Sequence, residues 1–213
     1  IQNLLNVTGM TVLNNFAAAF GSDAVAAIGI TQKINMVPNY IAMGLSQGIM
    51  PLISYNFASG NIKRMKGTLF FALKIALIFL VTVTVCYYVG AGSLVRLFMD
   101  NENIIAYGTR FLRGMCLAIP FFSIDFIAVG VFQATGMGKY AFLFAILRKV
   151  VLEIPALIIL NTLFPLYGLA YAQFCAEIAL AVAAVIVLTR LFRRLEAGQQ
   201  TGPQAAGQTA KRN

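Results

Sequence analysis

GTLFFALKIALIFLVTVTVCYYVG, residues 67–90, holds a single charge, Lys74, in an otherwise apolar run. A helix needs about 20 mostly apolar residues to cross the ~30 Å hydrocarbon core of a bilayer, and this stretch supplies them. Strands are a poor alternative, because transmembrane barrels show ~10-residue segments of alternating polarity. Outward from this run, comparable stretches cover 1–20, 24–57, 104–135, 140–164 and 169–192. The reading is an all-α polytopic bundle of about six transmembrane helices over 1–195, followed by a tail, 196–213, expected to be disordered and cytoplasmic.

The composition agrees. Of the 213 residues, 60% are hydrophobic and 11% charged, and the mean hydropathy is +0.81. A soluble domain of this size has too little interior to hide so much apolar surface. That excludes a soluble enzyme, a disordered chain and a small disulfide scaffold. The net charge of +9 falls mainly between the apolar runs, where it orients helices rather than binding nucleic acid. Lys63, Arg64 and Lys66, then Lys139, then Arg190, Arg193 and Arg194 all fall on one side if every run crosses. The positive-inside rule puts that side, and both termini, in the cytoplasm, although Arg110 and Arg113 pull mildly the other way. Cys86, Cys116 and Cys175 lie inside apolar runs without metal-binding spacing and read as packing residues. The chain contains no His. Ile1 enters an apolar stretch with no basic flank or cleavage site, so no signal peptide is visible there.

Turn chemistry separates the runs. Gly21-Ser22-Asp23, Gly136-Met137-Gly138-Lys139 and Pro165-Leu166-Tyr167-Gly168 are the tight connections. Pro38, Pro51, Pro120 and Pro155 all fall inside runs. They are expected to kink the helices, either simply to suit packing or to free carbonyls for ions and bending.

Polar residues inside the runs are the functional candidates. Asp125 lies near mid-span, where a carboxylate costs about 2.5–3.5 kcal/mol to insert. Binding a proton or a cation such as Na⁺, or meeting a cationic substrate, is the default for such a residue; a structural pair with Arg or Lys on a neighbouring helix is the alternative. Glu177 has no base within one turn, and either role fits it. Glu153 follows Lys149 by four residues, which favours a local pair. Lys74, Arg148 and Lys149 read as anchors that snorkel to the interface. Met36, Met43 and Met50 recur every seven residues, each followed three later by Asn39, Ser46 or Ile53. This stripe suits either a cavity wall for varied lipophilic cations or ordinary packing. Gly44 and Gly48 form a GxxxG pair expected to mark close helix contact, and Gln47 is expected to bond a neighbour or face the cavity.

Two motifs give a resemblance. Gly44 through Asn61 reads G-x-x-Q-x-x-x-P from Gly44, with Gln47 and Pro51, then an exit at Asn56-Phe57-Ala58-Ser59-Gly60 and a basic loop. Asp125 through Gly138 reads D-x4-G-x-x-Q-x-x-G-x-G. Both resemble the signature of the multidrug and toxic compound extrusion (MATE) family. The likeness covers 1 to about 195 and implies the C-terminal six-helix lobe of a twelve-helix protein. Ala58 and Ser59 stand where Gly and Ala are usual. No acidic residue falls between Ile1 and Phe20, where some relatives carry one.

The resemblance implies half of a non-enzymatic antiporter of the plasma (inner) membrane, exporting amphipathic or cationic compounds against Na⁺ or H⁺. Its partners would be an N-terminal six-helix lobe, its small-molecule substrates and the bilayer, with no cofactor beyond the coupling ion. Asp125, Gln47, Asn39, Met43, Ser46, Met50 and Glu177 are the candidate substrate- and ion-binding residues. Gly44, Gly48, Pro51, Asn56, Gly136 and Gly138 are the motif's structural positions. A membrane-embedded lipid-handling protein or a structural membrane subunit is the other reading. It is weakened by the lack of hydrolase or metalloprotease motifs and by three acids in apolar spans.

Overall fold

A computed structural model describes residues 2–200, with side chains from Val7 to Ala197; the expected tail from 201 lies outside the described residues. The described residues form eight α-helices and one π-helical segment, with no strand among them. They are α1 (Gln2–Ala18), α2 (Ser22–Ala58), α3 (Ile62–Arg96), α4 (Glu102–Cys116), α5 (Ile119–Ala134) and α6 (Gly138–Ile146). The π-helix (Leu147–Glu153) runs directly into α7 (Ile154–Leu163), and α8 is Gly168–Gln200. The all-α bundle is as expected. Residues 196–200 differ: they continue α8, and Glu196 pairs with Lys66 Nζ at 2.9 Å, so the helix outruns the expected start of the tail.

By length and composition α3 and α8 each suffice to cross a membrane, and α4 with α5, bent by 43° at their junction, adds a third if the pair is one broken span rather than a re-entrant loop. Of the other expected crossings, α1 has 17 residues, the α6–π–α7 run is split into pieces of 9, 7 and 10, and α2 carries Asp23, Lys33 and several amides along its 37. The outer face of α3, with Phe70, Phe71, Ile78, Val85 and Val89 exposed, suits hydrocarbon rather than water.

The prolines act differently from one another. Pro120 opens α5 just after the bend, and Pro155 opens α7 just after the π-helix; both occupy first-turn positions where a missing N–H costs nothing. Pro38 and Pro51 lie within α2, which runs as one helix through both.

Two helix ends reuse one device. Gly60 and Gly136 take left-handed φ values of 69° and 77°. Asn61 N–H then donates to Asn56 O at 2.9 Å, and Met137 N–H to Phe132 O at 2.7 Å. This satisfies carbonyls that a helix end leaves bare. Asn61 also accepts from Arg64 N–H and so caps α3. Asn56 and Gly136 therefore serve the backbone.

In a bilayer, helices gain little from burying apolar surface, and close packing through small residues replaces that drive. α2 lies against α3, α4 and α5, while α8 lies against α5, α7 and the π-helix. Ser46 Oγ donates to Phe126 O at 2.6 Å, and a Cβ on Gly130 would collide with that hydroxyl. The close contact expected at Gly44 and Gly48 lies elsewhere. Both are exposed, and a Cβ on either meets nothing within 4 Å. Towards one end the core is built around Ile53, Met65, Leu69, Ile127, Phe132 and Leu180, and towards the other around Ile28, Phe111, Met115, Leu157 and Leu169.

Candidate functional site

Arg148 projects inward from the π-helix. Its Nε donates to Glu177 Oε1 of α8 at 2.7 Å, and its Nη1 to Asp125 Oδ2 of α5 at 3.3 Å. The guanidinium also lies 5.0 Å from the ring centroids of both Phe122 and Phe126, a cation–π contact that strengthens when water is excluded. Asp125, Glu177 and Arg148 are 2%, 0% and 9% exposed.

The expectation that Arg148 snorkels is therefore overturned. Two buried carboxylates and two aromatic faces hold its charge at depth, and a buried charge is tolerated only when paired in this way. Asp125 takes the ion pair with a neighbouring helix, and Glu177 shares it.

Lys149 pairs with Glu153 at 2.7 Å, as its spacing predicts, and is tied inward rather than serving as a free anchor. α1 closes over this pair, for a Cβ on Gly9 would touch Glu153 Oε1 and Lys149 Cδ at 3.4 Å. The cluster thus sets three carboxylates against two bases. With every group ionised it is one monovalent positive charge short of neutral. Asp125 Oδ1 and Glu177 Oε2 are buried without a hydrogen-bond donor, and such lone pairs are costly to leave bare.

The π-helix is what aims these residues. Its wider turn is rare and marks functional sites more often than chance. Within seven residues it turns Arg148, Lys149 and Glu153 inward and leaves Val150 and Val151 exposed.

Beside the cluster lies a cleft of about 450 Å³ between α1, α2, α5 and the π-helix. Met10, Met36, Met43 and Met115 line it with Tyr40 and Phe126, and Gln32, Asn35, Asn39, Gln173 and the Lys149–Glu153 pair supply polarity. Tyr40 and Met36 at its rim are exposed. The Oδ1 atoms of Asn35 and Asn39, one helical turn apart, are buried without a donor.

Of the candidate residues, Asn39 and Met43 line this cleft and Asp125 and Glu177 join the cluster. Ser46, Gln47 and Met50 do neither. Ser46 is spent on the Phe126 carbonyl, Met50 lies by Gly130, and Gln47 is exposed on the same outer side of α2 as Gly44, Gly48 and Pro51. The stripe continues in the other direction, through Gln32, Asn35 and Met36. Three-and-four spacing back from Asn39 was the signal for those residues. For Arg148 the signal was two mid-span acids with no local base. Cys116 is buried as a packing residue, whereas Cys86 and Cys175 are exposed.

The fold is that of one lobe of a MATE-type membrane transporter. The family model described as MatE matches residues 1–159, and the chain belongs to that family. It is a family of transporters, not enzymes.

Among relatives, the multidrug export protein MepA of Staphylococcus haemolyticus (strain JCSC1435) is 39% identical over 193 residues, covering 90% of this chain and 42% of that protein. MepA of Staphylococcus aureus (strain MRSA252) is 37% identical over the same length, with the same coverage. The chain thus spans less than half the length of these relatives.

Solved structures agree in fold. A crystal structure of MATE in the straight conformation superposes with a TM-score of 0.87 at 18% identity, over 92% of this chain and 44% of that one. The Vibrio cholerae MATE transporter VcmN in the bent form gives 0.85 at 19%, over 92% and 45%.

Proposed function

We propose that the chain is the C-terminal lobe of a cation-coupled antiporter of the plasma membrane, exporting amphipathic or cationic organic compounds. The observation that carries this reading is the buried Asp125–Arg148–Glu177 cluster with its Lys149–Glu153 neighbour. It is one positive charge short of neutral and sits beside a cleft of methionine, aromatic and amide groups. An inward-moving Na⁺ or H⁺ supplies the missing charge at Asp125. Methionine suits the apolar parts of varied substrates, and the free acceptors of Asn35 and Asn39 meet their donors. An N-terminal six-helix lobe closes the open side of the cleft, and both termini face the cytoplasm, by the distribution of Lys and Arg.

Coupling then follows from linkage. A cation that binds one orientation of the lobes more tightly shifts the population towards it, and substrate shifts it back.

The test is Asp125→Asn in the complete transporter. Efflux of a fluorescent organic cation is expected to lose its dependence on the ion gradient while the amount of protein in the membrane stays the same. Efflux with unchanged ion dependence overturns the reading.

A further inference from the structure

Asp125 does not face the cleft. It lines a second cavity, of about 250 Å³, which follows the seam between α5 and α6. On α5 the lining is Asp125, Phe126, Val129 and Gln133; on α6 it is Gly138, Ala141, Phe142 and Ala145, leading up to Arg148. Each series keeps helical three-and-four spacing, so the two rows face one another.

The residues Gly138, Ala141 and Ala145 are small, and their missing side chains leave the space. At the far end Gln133, Gly136 and Lys139 are exposed. At the near end Asp125 Oδ1 is buried without a donor. Of the two cavities' linings, only Phe126 and Arg148 occur in both.

Resting on the reading above, we propose that the seam is the route by which the coupling cation, a water-borne proton or Na⁺, leaves Asp125 for the side bearing Lys139, apart from the cleft that takes the organic substrate. Ion and substrate then do not compete for one carboxylate. Arg148 is the positioning residue between them. When a hydronium ion gives its proton to Asp125 Oδ1, leaving water behind, the carboxyl becomes neutral and Nη1 loses its anionic partner. Nε stays with Glu177, and the guanidinium charge turns towards the cleft, where it repels a bound organic cation. Na⁺ at Asp125 acts by the same change of local charge.

The test uses the complete transporter with Cys86, Cys116 and Cys175 changed to alanine. Ala145→Cys is compared with Ile158→Cys, a control on the exposed, lipid-suited face of α7, using a membrane-impermeant cationic methanethiosulfonate from the side bearing Lys139. Ala145→Cys is expected to react about tenfold faster, because a thiol reacts only as a thiolate that reagent and water reach.

In a second arm, Ala145→Leu plugs the seam. It is expected to abolish ion-driven transport while the Kd of a fluorescent organic cation stays within a factor of about two. Equal labelling of the two cysteines, or transport by Ala145→Leu at the parent rate, overturns the proposal. If Asp125→Asn uncouples transport while Ala145→Leu is normal, only the seam route fails. If Asp125→Asn is silent, the functional reading fails instead.

Discussion

Replacing Arg148 by methionine keeps much of its length and removes its charge. Asp125 and Glu177 then stay buried with no cation, and Phe122 and Phe126 lose the guanidinium between them. Breaking a buried pair from one side costs about 3–5 kcal/mol, whereas neutralising all partners together is often close to neutral. Arg148→Met is expected to lower the melting temperature in detergent sharply, and the triple change Asp125→Asn, Arg148→Met, Glu177→Gln to recover most of it. A triple variant as unstable as the single would show that the ion pairs are not what Arg148 contributes. The depth of each of these residues was legible from its place in an apolar run. Their meeting was not, because Arg148 stands 23 residues from Asp125 and 29 from Glu177, and chain spacing says nothing about which faces of separate helices converge. The local Lys149–Glu153 pair was legible, since one helical turn joins it.

At the level of helices, α2 and α5 meet where Ser46 reaches across to the Phe126 carbonyl, and Gly130 makes room for it. Gly130→Val would force these backbones apart, and overpacking of this kind costs about 1–3 kcal/mol. Gly44→Ala adds its methyl to open space. Thermal melts are expected to show a clear loss for Gly130→Val and none for Gly44→Ala; equal effects would remove Gly130 as the point of close approach. The D-x4-G-x-x-Q pattern already contained Gly130, but its spacing gave no partner. The helix breaks divide the same way. Pro120 was legible as a break because proline removes a backbone N–H from the helix ladder, although Pro38 and Pro51, read the same way, leave α2 unbroken. The π-helix left no trace in composition, since one extra residue in a turn looks the same as one extra residue in a longer α-helix.

For the molecule as a whole, the all-α class and the family were legible, because length, hydropathy and the Gly-Gln-Pro and Asp-Gly-Gln-Gly patterns are properties of the chain alone. The cleft was legible in part. Asn39 and Met43 lie on the stripe that lines it, while Gln47, on the next face round, is turned outwards. A periodicity names a face of a helix without saying what stands opposite.

The cleft is open along one side, with Tyr40 and Met36 exposed at its rim, and alternating access requires one bundle to rock against another. The chain purified alone and reconstituted in liposomes is therefore expected to show no gradient-driven uptake of a fluorescent cation. Robust uptake that collapses with the ion gradient would instead point to two copies closing each other's clefts.

The π-helix has a consequence for descent as well as for geometry. A widened turn is what remains when a straight helix gains one residue and the flanking helix keeps its grip on its neighbours. Loss of a single codon between Leu147 and Glu153 would close that turn, leave α6 and α7 in place, and break the register that holds Arg148, Lys149 and Glu153 inward together. In a comparison of sequences this would pass as an unremarkable gap inside an apolar run. A lineage carrying such a gap would be under pressure to lose Asp125 or Glu177 next, or to place a new base beside them.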